Sequence, residues 1–185
     1  MATMNPIAID LFSGVGGLSL GLKASGFDVR LSVEIEEQAG RYAQYNFPQS
    51  RVLYGDEDGD VRKFGRNTVL RHLERQEVEQ IALVAGGPPC QGFSLAGKKQ
   101  ADDPLNDLVL EFARVVLELK PLAFVMENVP GITKGNSPHL REAIRRLNTT
   151  FHVGDPALLK ANHFGVPQGR ERVFVIGIRR DLGVK

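Results

Sequence analysis

The chain has 185 residues, and 23 Lys and Arg against 22 Asp and Glu give a formal net charge of +1, which argues against a domain that grips nucleic acid by bulk electrostatics. Its single Cys excludes an internal disulfide framework and a Cys-rich zinc site. No run approaches the ~18 apolar residues of a membrane span, and no signal peptide is apparent, so we expect a cytoplasmic protein without a membrane partner.

Strands and helices alternate from the first residues onward. The predicted strands are 7–12, 29–34, 52–54, 81–85, 122–126 and 173–178, with a weaker one over 151–159. The predicted helices are 18–24, 36–46, 68–80, one beginning at Asp103-Pro104 and one running from Ser137-Pro138 to about Leu147; the acidic segment 55–65 is predicted as a loop. Because parallel crossovers need a helix to return the chain, this alternation predicts an α/β fold: a mostly parallel, twisted sheet with helices on both faces.

A glycine-rich turn, Phe12-Ser13-Gly14-Val15-Gly16-Gly17, follows the first strand. Glu34 ends the second strand 20 residues after Gly14, the spacing at which dinucleotide-binding folds place an acid on ribose hydroxyls. The turn alone is explained equally well by a tight structural connection, but together with Glu34 it favours nucleoside binding. NAD and S-adenosylmethionine both stay candidates, and the departure from G-x-G-x-x-G favours the second, which has no pyrophosphate.

The only cysteine lies in a stiff loop, Gly86-Gly87-Pro88-Pro89-Cys90, which leaves the carboxyl end of a predicted core strand. A free Cys is commonly a small buried hydrophobic residue. Here the prolines and the nearby Lys98 and Lys99 favour a nucleophile instead, because positive neighbours stabilise the reactive thiolate. No His is patterned to serve as its base, so the substrate itself would have to be activated by protonation.

Glu127 could supply that proton. It follows the apolar strand 122–126 directly, and desolvation there would raise the carboxyl pKa and favour a neutral, donating acid. Arg170 and Arg172, two residues apart before the last strand, should point the same way and could hold an oxygen or a phosphate. An exposed strand-end Glu and a solvated basic strand entrance are the structural alternatives.

Five segments, taken in order, closely resemble the cytosine-carbon-5 DNA methyltransferase family. They are DLFSGVGGLSLGL (10–22), VEIEEQA (33–39), GGPPCQGFS (86–94), MENV (126–129) and PQGRERVFVIG (167–177). The resemblance implies a Rossmann-like fold and a DNA (cytosine-5-)-methyltransferase of the restriction-modification type. It also implies S-adenosylmethionine as cofactor, double-stranded DNA as partner, and no metal.

The resemblance assigns roles to residues at the cofactor, at the target base and at the DNA. The cofactor residues would be Phe12, Gly14, Gly16, Gly17, Glu34 on the ribose, Ile35, Pro89, Leu108, and Asp60 on the adenine amino group with Asp56 as the alternative. The catalytic residues would be Cys90, which attacks carbon 6 of a flipped cytosine, Glu127, which protonates ring nitrogen 3, and Arg170 and Arg172, which hold the base. Gln91, Ser94 and Lys98 would lie near the DNA.

Two departures from the family pattern matter. Leu105 stands where the family often has Arg, which affects a loop contact and not the chemistry. Family members also continue past the last matched strand into a target-recognition region, so residues 1–185 are expected to be an incomplete catalytic domain: a truncated form, a relic or one subunit of a split enzyme. The alternatives are a non-catalytic S-adenosylmethionine-binding module, an RNA cytosine methyltransferase and, least favoured, a nicotinamide dehydrogenase.

Overall fold

The computed structural model describes residues 5–89, 107–134 and 137–183. Its strands are β1 Ile7–Leu11, β2 Asp28–Glu34, β3 Arg51–Tyr54, β4 Ile81–Gly86, β5 Ala123–Asn128, β6 Phe151–Val153, β7 Ala157–Lys160 and β8 Glu171–Arg179. They form one sheet in the order β3-β2-β1-β4-β5-β8-β6, and β7 pairs with β8 beside β6. The first five pair in parallel, while β6 and β7 join antiparallel to β8, which is itself antiparallel to β5. The predicted α/β fold is confirmed.

Helices lie on both faces of this sheet. They are α1 Gly17–Ala24, α2 Glu37–Asn46, α3 Gly55–Asp58, α4 Arg66–Val69, α5 Arg75–Glu79, α6 Leu108–Leu119, α7 Gly131–Lys134 and α8 Pro138–Leu147, with 3-10 turns at Ala161–Phe164 and Arg180–Leu182. In the part of the chain that the structure describes, no helix has the length and apolar character to cross a membrane.

The larger core lies between the sheet and the α6 and α8 side. Alternation along β1 sends Ile7, Ile9 and Leu11 into this core, while Ala8 belongs to a smaller cluster on the other face, shared with Leu22 of α1. The α6 periodicity buries one full stripe of that helix, and Phe112 on it meets Phe124 of β5 edge to face. The core thus fixes β1, β4 and β5, whose carboxyl ends carry the candidate site.

Three sequence predictions of elements were wrong. The helix predicted over 68–80 is two short helices, α4 and α5, because the Glu74 amide donates to the Glu77 carboxylate at 2.8 Å and begins a new helix there. The strand predicted over 151–159 divides into β6 and β7 around Gly154-Asp155-Pro156, where Pro156 has no N–H for a ladder. The segment predicted as loop 55–65 contains α3. The helix start at Asp103-Pro104 lies outside the described residues.

Candidate active site

The turn after β1 has a backbone that suits glycine. Gly14 and Gly16 have φ of 54° and 94°, and a Cβ on Gly16 would lie 2.1 Å from the Phe47 ring. The Gly14 amide donates to Glu34 Oε2 at 2.7 Å, and Asn46 Nδ2 donates to the Val15 carbonyl at 3.1 Å. The turn is therefore held in one shape by residues from β2 and α2.

Glu34, at the end of β2, has both carboxylate oxygens oriented by backbone amides. Oε2 accepts from Gly14, and Oε1 accepts from the Glu36 amide at 2.8 Å. Each carboxylate oxygen has two acceptor directions, so capacity for ligand hydroxyls stays available on both. The side chain is thus fixed before any ligand binds.

A cavity of about 360 Å³ opens at the carboxyl ends of β1, β2 and β4. It brings together six of the predicted cofactor residues: Phe12, Glu34, Ile35, Asp60, Pro89 and Leu108. Gly14, Gly16 and Gly17 lie in the adjoining turn and at the start of α1. Sequence reasoning did not assign Val33, Val61, Arg62 and Gly87, which also line this cavity.

The structure distinguishes the two aspartates that the sequence left open. Asp60 lines the cavity, whereas Asp56 lies in α3, where its carbonyl accepts from Lys63 Nζ at 2.8 Å. Partial burial opposes ionisation of Asp60, but hydrogen bonds and charge from Arg62, with Lys63 nearby, outweigh it and hold the pKa of that carboxyl below its usual value. Asp60 is therefore an ionised acceptor facing the cavity.

Arg114 of α6 holds the backbone that carries Asp60. Its Nη2 donates to the carbonyls of Val61 and Phe64, both at 2.9 Å. Glu111 and Glu118 on the same helix pair with the remaining guanidinium nitrogens at 2.7 and 2.8 Å. Since α6 also places Leu108 on the cavity, one helix positions two sides of it.

A second site lies where β5 meets β8. Arg172 Nε lies 3.0 Å and Arg170 Nη2 lies 3.3 Å from Glu127 Oε1. The predicted shared direction of the two arginines therefore agrees with their contact to one oxygen. Glu127 was expected beside hydrophobic surface, but its nearest partners are these two guanidinium groups, which the antiparallel pairing of β5 with β8 brings to it. A pocket of about 290 Å³ adjoins them, with apolar walls from Leu159, Phe164 and Phe174.

Gly87 separates the two sites. It lines the first cavity, and a Cβ on it would lie 3.2 Å from Glu127 Oε2. At Gly87 the backbone therefore lies against both the cavity and the acid, with no side chain between them.

Comparison with known proteins places this geometry in a family. The profile described as C-5 cytosine-specific DNA methylase matches residues 7–185. The chain belongs to the C-5 cytosine-specific DNA methylase family. The family resemblance predicted from the sequence is thereby confirmed.

Several methylase relatives are much longer than this chain. The Type II methyltransferase M.XorII of Xanthomonas oryzae pv. oryzae is 41% identical in an alignment of 183 positions that covers 96% of this chain and 41% of the relative. M.AquIA of Picosynechococcus sp. is 40% identical in an alignment of 186 positions that covers 92% of this chain and 71% of the relative. The crystal structure of a candidate DNA modification methyltransferase from an E. coli prophage has a TM-score of 0.83 at 39% identity, covering 97% of this chain and 48% of that one.

Asn128 ties the methylase's proline loop to β5. Its buried Nδ2 donates to the Pro88 carbonyl at 2.9 Å, and its Oδ1 accepts from the Val129 amide at 2.9 Å. Asn128 lies in the MENV segment, in which the family resemblance assigned a role only to Glu127. Cys90, Gln91, Ser94 and Lys98 lie outside the described residues.

A buried polar group lies behind the methylase's glycine turn. Asp10 of β1 is fully buried, and Ser19 of α1 donates to its Oδ2 at 2.5 Å. Burial raises the pKa of Asp10 to about 7; the hydrogen bonds of Ser19 oppose this, and the charge of Glu34 adds to it. Asp10 thus accepts a hydrogen bond from the first turn of α1, where the N-cap residue Gly16 has no side chain to do so.

Potential metal ligands are scattered in the part of the chain that the structure describes. Within residues 5–89, 107–134 and 137–183, no three His, Cys, Asp or Glu side chains are grouped as a metal site would require.

Proposed function

We propose that this chain is the cofactor-binding and chemical part of a DNA cytosine-5 methyltransferase, which moves a methyl group from S-adenosylmethionine to carbon 5 of cytosine in double-stranded DNA. The observation that carries the proposal is the pair of sites on either side of Gly87. One site offers carboxylate oxygens that can accept hydrogen bonds from a nucleoside, and the other is built from Glu127 and two arginines. The bacterial origin of the Type II methyltransferase relatives supports a cytoplasmic location beside the DNA.

The first cavity fits the nucleoside part of S-adenosylmethionine. Glu34 offers acceptors for two ribose hydroxyls, and Asp60 offers one for the 6-amino group. Phe12, Val61 and Leu108 supply apolar surface for the purine. When bound there, S-adenosylmethionine supplies an electrophilic methyl group on sulfur.

On the other side of Gly87, the flipped cytosine would meet Glu127 and the arginines. Cys90, which directly follows the cavity residue Pro89, would form a bond from Sγ to carbon 6, as the family resemblance implies. Glu127 would donate a proton to ring nitrogen 3, which neutralises the negative charge that this attack sends into the ring, and Arg170 and Arg172 would keep the carboxyl and the base in place. Carbon 5 would then take the methyl group, and S-adenosylhomocysteine would leave. A base such as water would remove the carbon-5 proton, the bond to Sγ would break as the ring double bond re-forms, and ring nitrogen 3 would return its proton to Glu127.

A partly exposed apolar patch beside Glu127 supports a requirement for further protein. In the pairing of β5 with β8, Val125 lies opposite Ile176 and Glu127 opposite Phe174, so one apolar face leads directly to the acid. Ile176 on this face is 48% exposed. We infer that a polypeptide carrying the recognition region, most simply a second subunit, covers this face and supplies the main grip on DNA phosphates, which a net charge of +1 does not provide.

Relatives of unequal length are consistent with a divided enzyme. Matches of similar length cover 71% of the Picosynechococcus relative and only 41% of the Xanthomonas one. Much shorter proteins with this catalytic part therefore occur in the family.

Two measurements test the proposal. Calorimetry with S-adenosylhomocysteine should show binding by the chain, and Glu34→Ala should weaken it, because both oriented acceptors are lost. A duplex containing 5-fluorocytosine, incubated with S-adenosylmethionine and the protein in its native assembly, should give a covalent adduct that Cys90→Ser abolishes while leaving S-adenosylhomocysteine binding unchanged. Equal trapping by Cys90→Ser would refute its role. Trapping of an equivalent RNA but not of DNA would favour the RNA alternative, and binding without any trapping the non-catalytic one.

A further inference from the structure

Arg62 makes an unusual set of contacts with Asp60 at the rim of the cofactor cavity. Its backbone amide donates to Asp60 Oδ1 at 3.0 Å, and its Nε donates to Oδ1 at 2.9 Å and to Oδ2 at 3.2 Å. The Asp60 side chain is only 11% exposed, whereas that of Arg62 is 60% exposed. A largely exposed residue at the rim of the cavity therefore orients a largely buried acid inside it.

We propose that Arg62 is a positioning residue that makes Asp60 an oriented, acceptor-only group and thereby selects a 6-amino purine over a 6-oxo purine. This inference rests on the proposed function, since it assigns the selectivity of the same cavity.

The distribution of donors on the carboxylate supports the proposal. Oδ1 already accepts two N–H groups, so the acceptor capacity left for a ligand lies mainly on Oδ2. A carboxylate paired with a guanidinium stays ionised and has no proton to donate. The amino group of adenine can donate to such an oxygen. The oxo group of hypoxanthine presents lone pairs to it and is repelled.

The loop that carries this pair is held by other contacts. Arg114 binds the Val61 and Phe64 carbonyls, and a Cβ on Gly59 would lie 2.0 Å from the Glu34 carbonyl oxygen, so the segment is packed closely against β2. The Arg62 backbone amide also stays in place when its side chain is removed. Arg62→Ala therefore tests the guanidinium without dismantling the loop.

The experiment compares two nucleosides by calorimetry: S-adenosylhomocysteine and S-inosylhomocysteine, in which an oxo group replaces the amino group. Arg62→Ala should weaken S-adenosylhomocysteine binding by about three- to tenfold, the range for a solvent-exposed, charge-assisted contact. Binding of S-inosylhomocysteine should change less, so the preference for S-adenosylhomocysteine, measured as the ratio of the two affinities, should become smaller. Arg62→Lys, which keeps the charge without the planar Nε, should give an intermediate ratio.

Two further variants make the result specific. Asp60→Asn should abolish or reverse the preference, because its amide can donate to the oxo group. Lys63→Ala removes the neighbouring cation, which contacts the Asp56 carbonyl and not Asp60, and should leave the ratio unchanged. Melting temperatures confirm folding, and Arg62→Met replaces Arg62→Ala if the latter is unfolded.

The possible results distinguish the role of Arg62 from the cofactor-binding function of the cavity. If the wild type binds S-adenosylhomocysteine and the folded Arg62 variants keep the wild-type ratio, the role of Arg62 is refuted while the cofactor assignment stands. If the wild type binds neither nucleoside, both are refuted.

Discussion

Replacing Asp10 with Asn should change stability in a way that depends on pH. Asp10 is buried under α1, its Oδ2 accepts from Ser19, and its Oδ1 has no hydrogen-bond partner among the described residues. Ser32 Oγ lies 3.5 Å from Ser19 Oγ and extends the same buried group. Asn keeps an oxygen that can accept from Ser19, but it cannot ionise.

The direction of this pH dependence follows from the raised pKa of Asp10. Burial moves the Asp10 pKa from 3.8 to about 7, so the folded state holds its proton more tightly than the unfolded state. The stability that the neutral carboxyl contributes is complete below about pH 4 and is lost as the pH rises through 7. Each pH unit between these limits costs at most about 1.4 kcal/mol. Between pH 5 and pH 7, the wild type should therefore lose about 1–3 kcal/mol relative to Asp10→Asn.

Urea unfolding at pH 5, 6, 7 and 8 measures this difference. Other titrating groups are common to both proteins and cancel. The free energy of unfolding of Asp10→Asn minus that of the wild type should rise with pH and level off above pH 7. The same comparison can be made with Ser19→Ala in both proteins, which removes the side-chain hydrogen bond that opposes the pKa shift. The difference in free energy of unfolding should then go on rising to higher pH. A difference that is constant from pH 5 to pH 8 would refute the proposed burial of an acid that is largely neutral.

Three further predictions concern the supports of the site. Arg114→Ala should lower the free energy of unfolding by about 1–3 kcal/mol, because two carbonyls and two carboxylates lose their partner; urea unfolding measures it, and a loss below 0.5 kcal/mol would contradict the clamp. Asn128→Ala should slow covalent trapping of 5-fluorocytosine about tenfold while S-adenosylhomocysteine affinity is kept, because the Pro88 carbonyl is released before Cys90; a matched loss of cofactor affinity would speak against this. Gly16→Ala should lower the melting temperature and weaken S-adenosylhomocysteine binding, and adding Phe47→Leu should partly restore both, unless the positive φ rather than the clash dominates.

The sequence predicted the sheet well because buried strands are local signals. Every predicted strand corresponds to a strand of the structure, although 151–159 contains two. The helix predicted over 68–80 was wrong because Val69, at the end of α4, and Leu73, in the break before α5, have helical spacing and are both buried. Apolar periodicity does not report where one helix ends and the next begins.

The site was predicted less evenly, for a physical reason. Glu34 ends β2 and Asp60 lies in the connection after β3, so their place at the sheet edge could be predicted from local signals. The Arg114 clamp joins residues 50 or more positions apart and has no local signature. The contact of Glu127 with its two arginines likewise depends on the register of β5 against β8. Arg62 was the one that could have been found, since an Asp followed two residues later by Arg can close a local turn.

The peptide at Gly87 has a thermodynamic consequence. Since Gly87 lines the cofactor cavity and also lies against Glu127, a ligand that restricts this backbone in the cavity changes the cost of ordering it for a base beside Glu127. Such coupling is reciprocal: whatever factor the cofactor adds to the affinity for the flipped base, the base must add to the affinity for the cofactor.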